Sequence, residues 1–449
     1  MSFPRYSAYE DSGVQWIAAL PSHWDVRRFK SIFAERIDKS ESGDELLLSV
    51  SAYTGVTPRS ELVDDGDHLS RAESLEGYKR CFKDDLVMNI MLAWNRGLAF
   101  TQFEGIVSPA YCVFKVIDGS HPKFLNYLVR SDEYTAYFKA FSSGVIDSRL
   151  RIYPETFGAL LCALPPTAEQ AGIASFLDHE TAKIDALMAE QERLIELLKE
   201  KRQAVISHAV TKGLDPSVPM KDSGVEWLGE VPAHWEVRAL RRVVSAIEQG
   251  WSPECYAREA EEQEWGVLKA GCVNGGTFRA AENKALPPEL TPEESYEVRA
   301  GDVLMSRASG TPELVGSTAL VTTTRPRLML SDKIFRLKLY ETVCAPFFVA
   351  TLNSRAMRIQ IENALSGGNG MANNLPQSSL LTFHMAVPPQ SEQAAITAFL
   401  DQEIARIDAL MNEGVLSIEL LRERRTALIS AAVTGQIDVR GWAPLETTA

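Results

Sequence analysis

Apolar side chains recur at alternating four- and three-residue steps in two long stretches of the chain. The first stretch carries Ile173, Leu177, Ile184, Leu187, Leu194, Leu198 and Val205, and the second carries Ile396, Leu400, Ile407, Leu410, Leu421 and Leu428. This spacing predicts two helices of about 44 residues, or roughly 65 Å each at 1.5 Å per residue. Their length and duplication favour a two-helix coiled coil. The alternative is that each helix covers a globular core.

Residues at the helix ends carry start and stop signals. Pro165 and Pro166 precede Thr167-Ala-Glu-Gln170, which predicts a capping-box start, and Gly213 predicts the end of the first helix. In the second stretch Gln390 replaces the capping threonine and Gly414 interrupts the apolar pattern. These departures leave the pairing register of the second helix open.

An internal repeat covers the helices and a short anchor before each insert. Residues 164–215 return as 387–438 with roughly thirty of fifty-two positions identical, and residues 11–24 return as 222–235. The inserts between them share little sequence. We call the repeated anchors and helices the repeated frame. The repeated frame predicts that the chain binds the same kind of partner twice, whereas the unlike inserts predict two different targets.

The inserts have the patterns of mixed α/β domains. Residues 46–51, 86–89, 111–116 and 303–306 are predicted strands, whereas 124–141 and 347–365 have helical spacing. The predicted plan is a first insert domain with its anchor at 1–163, a first helix at 164–213, a linker with the second anchor at 214–232, a second insert domain at 233–386, a second helix at 387–438 and a tail at 439–449.

The connection after the first helix predicts how the helices pair. In a parallel pair, residues 211–235 would retrace roughly 65 Å, close to their fully extended reach at about 3.3 Å per residue. Pro216, Pro219 and Pro232 oppose such extension. The expected fold class is therefore two α/β (α+β) domains separated by a long antiparallel two-helix coiled coil, with a pseudo-twofold internal repeat.

Charge is unevenly distributed over the 449 residues, whose formal net charge is −14. Residues 22–163 hold 17 Lys and Arg against 20 Asp and Glu, and residues 233–386 hold 16 against 17. Most of the acidity therefore lies on the repeated frame, which suits a basic partner, while each nearly neutral insert can present a local basic face. The chain lacks a long apolar run, a signal-peptide pattern and a Cys-x-x-Cys pair, so we expect a cytoplasmic protein with no membrane span and no structural zinc.

Signatures of catalysis are missing. The sequence has no Gly-x-x-x-x-Gly-Lys-Ser/Thr loop, no His-Glu-x-x-His and no Asn-Pro-Pro-Tyr. His23 and His234 recur beside Trp24 and Trp235, and packing or capping is the favoured interpretation over catalysis. We expect a non-catalytic chain with no metal site.

Side chains suited to reading DNA bases occur in both inserts. Arg bridges guanine O6 and N7, and Asn bridges adenine N6 and N7. The alternative for each is a solvated loop residue. The DNA-binding candidates are Tyr53, Arg59, Asn89, Trp94, Asn95, Arg96, Arg149 and Arg151 in the first insert and Trp251, Lys269, Asn274, Arg307, Ser309, Lys333, Asn369, Asn373 and Asn374 in the second.

The repeated motifs resemble a known family. Each insert is followed by Pro-Pro-x-x-Glu-Gln-x-x-Ile-x-x-Phe-Leu-Asp, at 165–178 and again at 388–401, and then by Ile-Asp-Ala-Leu-Met at 184–188 and 407–411. Over essentially the whole chain this resembles the specificity subunit of type I restriction–modification systems. Residues 301–304, with 84–87 as a looser match, also fit the family's target recognition domains.

The resemblance implies that each insert is a target recognition domain that reads one half of a split, asymmetric site in double-stranded DNA. It implies that two methyltransferase subunits, which carry S-adenosylmethionine, bind the repeated frame. Restriction (motor-nuclease) subunits would add ATP- and Mg-dependent translocation and cleavage, so no cofactor is expected in this chain. The partner-binding candidates are Glu169, Gln170, Phe176 and Asp178, with Glu392, Gln393, Phe399 and Asp401 as their repeats.

Two other functions stay open on the sequence alone. A structural coiled-coil adaptor without DNA reading fits the net acidity. A self-sufficient nuclease or methyltransferase fits poorly, because its signatures are missing. Sequence-specific, salt-sensitive DNA binding separates the adaptor from the DNA reader.

Overall fold

The computed structural model describes residues 3–14, 16–61, 74–146, 149–365 and 373–443. The chain forms two compact units, one from residues 1–192 with 416–449 and the other from residues 193–415. Each unit contains one insert domain and about half of each long helix. The candidate Asn369 lies outside the described residues.

The first unit is a mixed α/β domain with a four-stranded antiparallel sheet of order β4-β11-β8-β9. Helices α1 and α2 follow strand β11 along the chain. Its elements are β1 (Tyr9–Val14), β2 (Ile17–Pro21), β3 (Asp25–Arg28), β4 (Phe33–Glu35), β5 (Leu48–Ser51), β6 (Gly55–Pro58), β7 (Lys79–Cys81), β8 (Leu86–Asn89), β9 (Leu98–Phe100), β10 (Gly105–Val107), β11 (Tyr111–Val116), α1 (Pro122–Arg130), α2 (Asp132–Ala140), α3 (Pro154–Ala159), β12 (Leu161–Leu164) and the start of α4 (Thr167–Lys212).

The second unit repeats this plan with different additions. Its central sheet has the antiparallel order β16-β23-β19-β21. Its elements are β13 (Met220–Asp222), β14 (Glu230–Pro232), β15 (Glu236–Ala239), β16 (Val244–Gln249), β17 (Gly266–Leu268), β18 (Asn283–Ala285), β19 (Val303–Ser306), β20 (Ala308–Ser309), β21 (Thr318–Leu320), β22 (Leu328–Met329), β23 (Ile334–Leu339), α5 (Ala345–Leu352), α6 (Arg355–Ala364), β24 (Asn373–Asn374), α7 (Gln377–Leu380), β25 (His384–Val387) and the start of α8 (Gln390–Val433).

The two inserts share a framework that their sequences hide. In both, the strand after the anchor pairs with the strand before the long helix, as β3 with β12 and as β15 with β25. In both, the four central strands have the same order. The predicted strands at 86–89, 111–116 and 303–306 are confirmed residue for residue, and the strand predicted at 46–51 begins two residues later. The inserts differ in their smaller sheets, which are β5-β6 and β7-β10 in the first and β17-β18-β22 and β20-β24 in the second.

A turn before the second central strand explains the resemblance between residues 84–87 and 301–304. Asp84 has φ +66° and Gly301 has φ +96°, a left-handed conformation that glycine favours and aspartate tolerates. The following aspartate closes each turn, because Asp85 and Asp302 each accept a 2.9 Å hydrogen bond from the backbone N–H three residues earlier. Both carboxylates also pair with an arginine of the central sheet region.

Each helix predicted in the inserts is divided in two. The backbone is extended at Ser131 and at Ser354, whose hydroxyls accept from the N–H groups of Tyr134 and Met357. A serine in this position caps the second helix of each pair and ends the first. The predictions of single helices at 124–141 and 347–365 were wrong at this point.

The long helices are continuous, with 46 residues in α4 and 44 in α8. Gly213, φ +76°, follows the end of α4 as predicted. The predicted capping box does not form, because the side chain of Gln170 is bonded elsewhere, and Gly414 does not interrupt α8.

The apolar face of each helix differs by one position from the predicted seam. Leu187, Leu194 and Leu410 are exposed, whereas Met188 is partly buried against the first core. Ile184 and Leu198 are buried as predicted. Counted from Ile184, the inward-facing positions between them are spaced by four and then three residues, whereas the predicted seam was spaced by three and then four. Neighbouring positions on a helix point about 100° apart. Because residues 187 and 188 are both apolar, the sequence did not show which of them faces inward.

Within each unit the two long helices pair antiparallel, as predicted. In the first unit Arg425 Nε donates to Asp185 Oδ1 at 2.9 Å, and Ile173 and Leu177 share a core with Leu428 and Val433. In the second unit Arg202 Nε donates to Asp408 Oδ1 at 3.1 Å. The two ion pairs are repeat equivalents, since each residue of one lies 223 positions from its counterpart.

Candidate nucleic-acid interface

Two loop tips of the first unit carry several of the predicted DNA-binding residues. Tyr53, 94% exposed, lies in the turn between β5 and β6. Trp94, Asn95 and Arg96 lie in a short 3-10 turn between β8 and β9. Lys139 of α2 is 5.2 Å from the centre of the Trp94 ring. The arrangement places a cation, an amide and two aromatic side chains on two loops, one from the β5-β6 sheet and one from the four-stranded sheet.

Not every candidate in this domain faces solvent. Asn89 is 5% exposed, and its Oδ1 accepts a 3.0 Å hydrogen bond from the Met91 N–H. Arg59 is partly buried, with its backbone N–H bonded to Leu47. Asn89 therefore shapes the turn after β8, and we remove it from the candidate interface.

The segment with Arg149 and Arg151 lies beside the same turn. Arg149 is exposed, and Arg151 pairs with Ser143 through two backbone hydrogen bonds. The Ile152 N–H donates to the Ile90 carbonyl at 3.0 Å, which ties this segment to the residue that follows β8. The structure thus brings these arginines to the side of the domain that holds residues 90–97.

The second unit has a cleft of about 370 Å³ that unites two predicted lysines with one that sequence reasoning missed. Lys269, Lys284 and Lys333 line it, together with Ser252 and Asp332. Lys284 is exposed between two buried residues of β18, but the sequence Asn283-Lys284-Ala285 lacks the apolar–polar alternation that would have indicated this. Lys269 Nζ lies 3.6 Å from Glu282 Oε2, so three ammonium groups face two carboxylates, and the remaining positive charge makes the cleft suitable for an anion such as phosphate.

Hydrogen bonds fix the charge at the edge of this cleft. Asp332 Oδ2 is 3.2 Å from Lys333 Nζ. Burial by itself raises the pKa of Asp332, but the hydrogen bond from Ser252 and the charges of Lys333 and Arg307 outweigh it and lower that pKa. The carboxylate therefore stays ionised at neutral pH and orients Lys333.

Backbone hydrogen bonds join four further candidates of the second unit to the edge of the cleft. The Arg307 N–H donates to the Lys333 carbonyl at 2.8 Å. Two short strands pair Ser309 with Asn373 and Ala308 with Asn374. The Leu375 N–H donates to the Arg307 carbonyl, which repeats the bond from Ile152 to Ile90 in the first unit. The Arg149–Arg151 and Asn373–Asn374 segments therefore occupy equivalent places.

Two candidates of the second unit have mainly structural contacts. The Trp251 N–H donates to the Leu330 carbonyl, and its ring packs against a small buried cluster that includes Val267. The Asn274 carbonyl accepts a 3.0 Å bond from Arg279. The contacts of the described residues do not join Asn274 to the lysine cleft.

The repeated glutamates bind the repeated anchors. Glu169 accepts from Trp24 Nε1 at 3.0 Å, lies 2.7 Å from His23 Nε2, and accepts from the Tyr6 hydroxyl at 2.6 Å. Glu392 has the same contacts with Trp235, at 2.9 Å, and His234, at 2.7 Å. Both histidines thus contact a glutamate of a long helix, and their interpretation as packing or capping residues stays a prediction. The predicted role of Glu169 on a partner-binding surface needs correction, since its side chain is 7% exposed and its carboxylate is occupied within the chain, whereas Glu392, 40% exposed, stays a prediction.

The glutamines after them are also engaged internally. Gln170 accepts from the His121 N–H at 2.8 Å and donates to the Pro165 carbonyl, and Gln393 accepts from the Cys344 N–H at 2.9 Å and donates to the Pro388 carbonyl. Residues 121 and 344 directly precede α1 and α5. Each glutamine therefore fastens a long helix to its insert domain, because a buried amide needs partners on both its atoms.

Of the other partner-binding candidates, Phe176 is fully buried and Phe399 is 39% exposed. Asp178 is partly buried, accepting from Lys123 Nζ and the Tyr127 hydroxyl, and Asp401 is exposed. Burial removes Phe176, Gln170 and Gln393 from any docking surface in this structure. Asp401 and Phe399 stay predictions.

Among the described residues, no group of three His, Cys, Asp or Glu side chains is placed to hold a metal ion. Within the same ranges, no helix has the length and apolarity required to cross a membrane.

Known proteins with similar sequences carry one designation. The chain is 30% identical over 219 residues to the type I restriction enzyme EcoEI specificity subunit of Escherichia coli, covering 48% of this chain and 36% of that protein. It is 23% identical over 349 residues to the EcoKI specificity subunit of Escherichia coli strain K12, covering 76% and 69%. The first match thus spans about a third of its relative. No protein-family model matches the chain.

Solved structures share the fold. A chain from a study of complex assembly and conformational transition of the type I R-M system matches with a TM-score of 0.68 and 16% identity, over 92% of this chain and 98% of that one. The HsdS subunit from Thermoanaerobacter tengcongensis matches with a TM-score of 0.53 and 16% identity, over 93% and 98%. Repeated frame, insert fold and sequence relatives agree: the chain is similar in sequence to specificity subunits of type I restriction enzymes and shares the fold of solved type I R-M proteins.

Proposed function

We propose that this chain is the DNA-recognition subunit of a type I restriction–modification complex, in which each insert domain reads one half of a bipartite, asymmetric site. One observation carries the proposal. Two domains with the same central strand order are mounted on the same repeated frame, yet they present different side chains on equivalent loops. A shared repeated frame with unlike loops suits the recognition of two different half-sites in one DNA duplex.

The chemistry of the two surfaces supports unlike half-sites. The first domain presents Tyr53, Arg96 and Arg149 on loops, and the second presents a lysine cleft beside Ser309 and Asn373. Lysines in a cleft suit phosphate contacts, which fix position, while Arg and Asn on loops suit base edges. We propose that the lysine cleft anchors the backbone next to the half-site read by the second domain.

The repeated frame is proposed to bind two copies of a methyltransferase subunit. Large apolar side chains are exposed at equivalent positions of the long helices, Leu187 with Leu410 and Leu197 with Leu420. Exposed leucines repeated at one spacing suit the same partner twice. These leucines replace the buried Gln170, Gln393 and Phe176 as the proposed contact surface.

We propose that the chemical steps occur on partner subunits. S-adenosylmethionine would bind the methyltransferase subunits, and ATP and Mg would bind the restriction subunits. This chain would contribute recognition and spacing only, and it would act in the cytoplasm where its DNA lies. The long helices would set the number of unread base pairs between the half-sites.

Binding measurements on the assembled methyltransferase complex test the proposal. Double-stranded DNA selected from a random pool is expected to yield a motif with two defined halves and an undefined spacer. Affinity for the selected DNA is expected to fall steeply with salt, as it does for proteins that contact phosphates. Assembly with partners but no selected sequence would favour the structural adaptor, and methylation by this chain alone would favour a self-sufficient enzyme.

A further inference from the structure

The guanidinium of Arg130 holds the backbones of two separate loop tips. It donates to the carbonyls of Ala52 at 2.8 Å and Tyr53 at 3.5 Å in one tip. It donates to the carbonyls of Arg96 at 3.1 Å and Leu98 at 2.9 Å in the other. The Ser51 carbonyl, at 3.5 Å, also belongs to the first tip. One side chain therefore joins residues 51–53 with residues 96–98.

Tyr53 and Arg96, which these two tips carry, line the same cavity as Arg130 and keep exposed surface there. Tyr53 is almost fully exposed although its carbonyl is held. Arg96 keeps 39% of its side chain exposed, and Trp94 precedes it in the same turn. The two tips thus present an aromatic ring and a guanidinium at a spacing that Arg130 helps to fix.

Arg96 itself is restrained at both its backbone and its side chain. Its φ of +59° lies in the left-handed region, which costs free energy for a residue with a Cβ atom. Arg130 accounts for its carbonyl, and Asp132 pairs with its guanidinium. Residues 130 and 132 flank Ser131, so one short stretch between α1 and α2 holds a strained residue in place.

Arg130 is bound by carbonyl oxygens rather than by a carboxylate. Among the described residues, no acidic side chain forms an ion pair with its guanidinium. Burial, with Arg96 and Arg425 nearby, lowers the pKa of Arg130 to about 10, so it stays charged at neutral pH. Its planar fork of five donors suits several acceptors at once, which a lysine ammonium cannot match.

We propose that Arg130 is a positioning residue for DNA reading: by holding the tips at 51–53 and 96–98 together, it forms one base-reading surface for the half-site of the first domain. This inference rests on the proposed function. It concerns one half of the site only, because every loop that Arg130 holds belongs to the first insert.

The second domain offers a matched control at the equivalent position. Asn353 precedes the cap Ser354 as Arg130 precedes Ser131, and it bonds the N–H and carbonyl of Thr318 at the start of β21. Its own carbonyl accepts from Gln203 of α4. Its bonds within the sheet thus reach one strand only, so Asn353 does not join two tips.

The test compares Arg130→Met, Arg130→Lys and Asn353→Ala in the full chain, assembled with its methyltransferase subunits. Duplexes carrying the wild-type motif, or single-base changes in one half, report discrimination at each half-site. Arg130→Met is expected to lower discrimination at one half by at least tenfold and to leave the other half unchanged, with Arg130→Lys in between. Asn353→Ala is expected to leave the Arg130-dependent half unchanged.

Hydrogen exchange on the same variants separates positioning from unfolding. In Arg130→Met, amides at 51–54 and 96–98 are expected to exchange at least tenfold faster, while amides in the rest of the first unit keep their rates. Unchanged discrimination in Arg130→Met would overturn this inference. Equal loss at both halves, with faster exchange throughout the unit, would also overturn it, and neither outcome would contradict the proposed function. A wild-type complex that selects no bipartite motif would overturn the proposed function and this inference with it.

Discussion

Glu169 and Glu392 explain at the residue scale why the anchors and the helix motifs are repeated together. Each accepts from a tryptophan indole and lies within hydrogen-bond distance of a histidine, so the His-Trp of one segment requires the Glu of the other. Glu169 has a third donor, Tyr6, and its side chain is 7% exposed, against 40% for Glu392. The two contacts share geometry but differ in burial.

We expect Glu169→Ala to destabilise the first unit more than Glu392→Ala destabilises the second. The first change leaves buried donors without an acceptor, which costs about 1–3 kcal/mol. Glu392 is itself 40% exposed, so water can take the place of its carboxylate beside Trp235 and His234, and the second change costs about 0.5–1.5 kcal/mol. Urea unfolding followed by tryptophan fluorescence measures both, with exposed Glu190→Ala as the control. Equal losses would contradict the role assigned to burial.

Buried thiols predict a loss of stability in alkali. Burial raises the pKa of Cys81 and of Cys272 to about 12, against an ordinary value near 9. The unfolded chain therefore loses these protons at lower pH than the folded chain, and their contribution is complete below pH 9 and lost as pH rises to about 12. Urea midpoints from pH 8 to 11 are expected to decline less in Cys81→Ala than in wild type. Parallel declines would show that this thiol does not contribute.

The second long helix shows at the element scale how a local signal and its tertiary context disagree. Gly414 and the absent capping threonine predict a weak middle and start, yet α8 runs unbroken from 390 to 433. Its ion pair Asp408–Arg202 matches Asp185–Arg425 of the other unit. Packing along the helix therefore outweighs the low helix propensity of glycine, as it does in most proteins.

Gly414→Ala is expected to raise the free energy of unfolding by about 0.5–1 kcal/mol, since glycine inside a helix is destabilising by that amount. Gly414 faces inward, and the equivalent position of α4 holds the much larger Gln191. Chemical denaturation of the full chain checks the change, with the exposed Ser391→Ala as control. A decrease in stability would mean that the partner helix needs a residue without a Cβ at this point.

Lengthening both long helices by one four-residue block is expected to lengthen the spacer of the recognised site by one or two base pairs. The block adds about 6 Å at 1.5 Å per residue and turns the following residues by about 40°. Selection of DNA by the assembled complex gives the spacer directly. An unchanged spacer would contradict the proposed role of the helices as a ruler.

At the scale of the whole molecule, the internal repeat predicted more of the fold than the local apolar spacing did. The duplicated frame predicted two domains, two long helices and their antiparallel pairing, because repeats and connection lengths constrain topology directly. The seam was misassigned at Leu187 because Met188 is equally apolar. The burial of Gln170 and the bonds of Arg130 depend on partners 32 to 79 residues away, which no local pattern reveals. Base contacts stay predictions, because residue type does not determine which loops meet DNA.

Exchange of residues 22–163 for the corresponding insert of a type I specificity subunit tests the central claim of the proposed function most directly. Methylated sites would be mapped across a genome that carries the chimaera with its methyltransferase subunits. Two independent readers on one frame predict that one half of the motif changes, while the other half and the spacer stay as in wild type. A change in both halves, or a wild-type motif without two halves, would contradict the account.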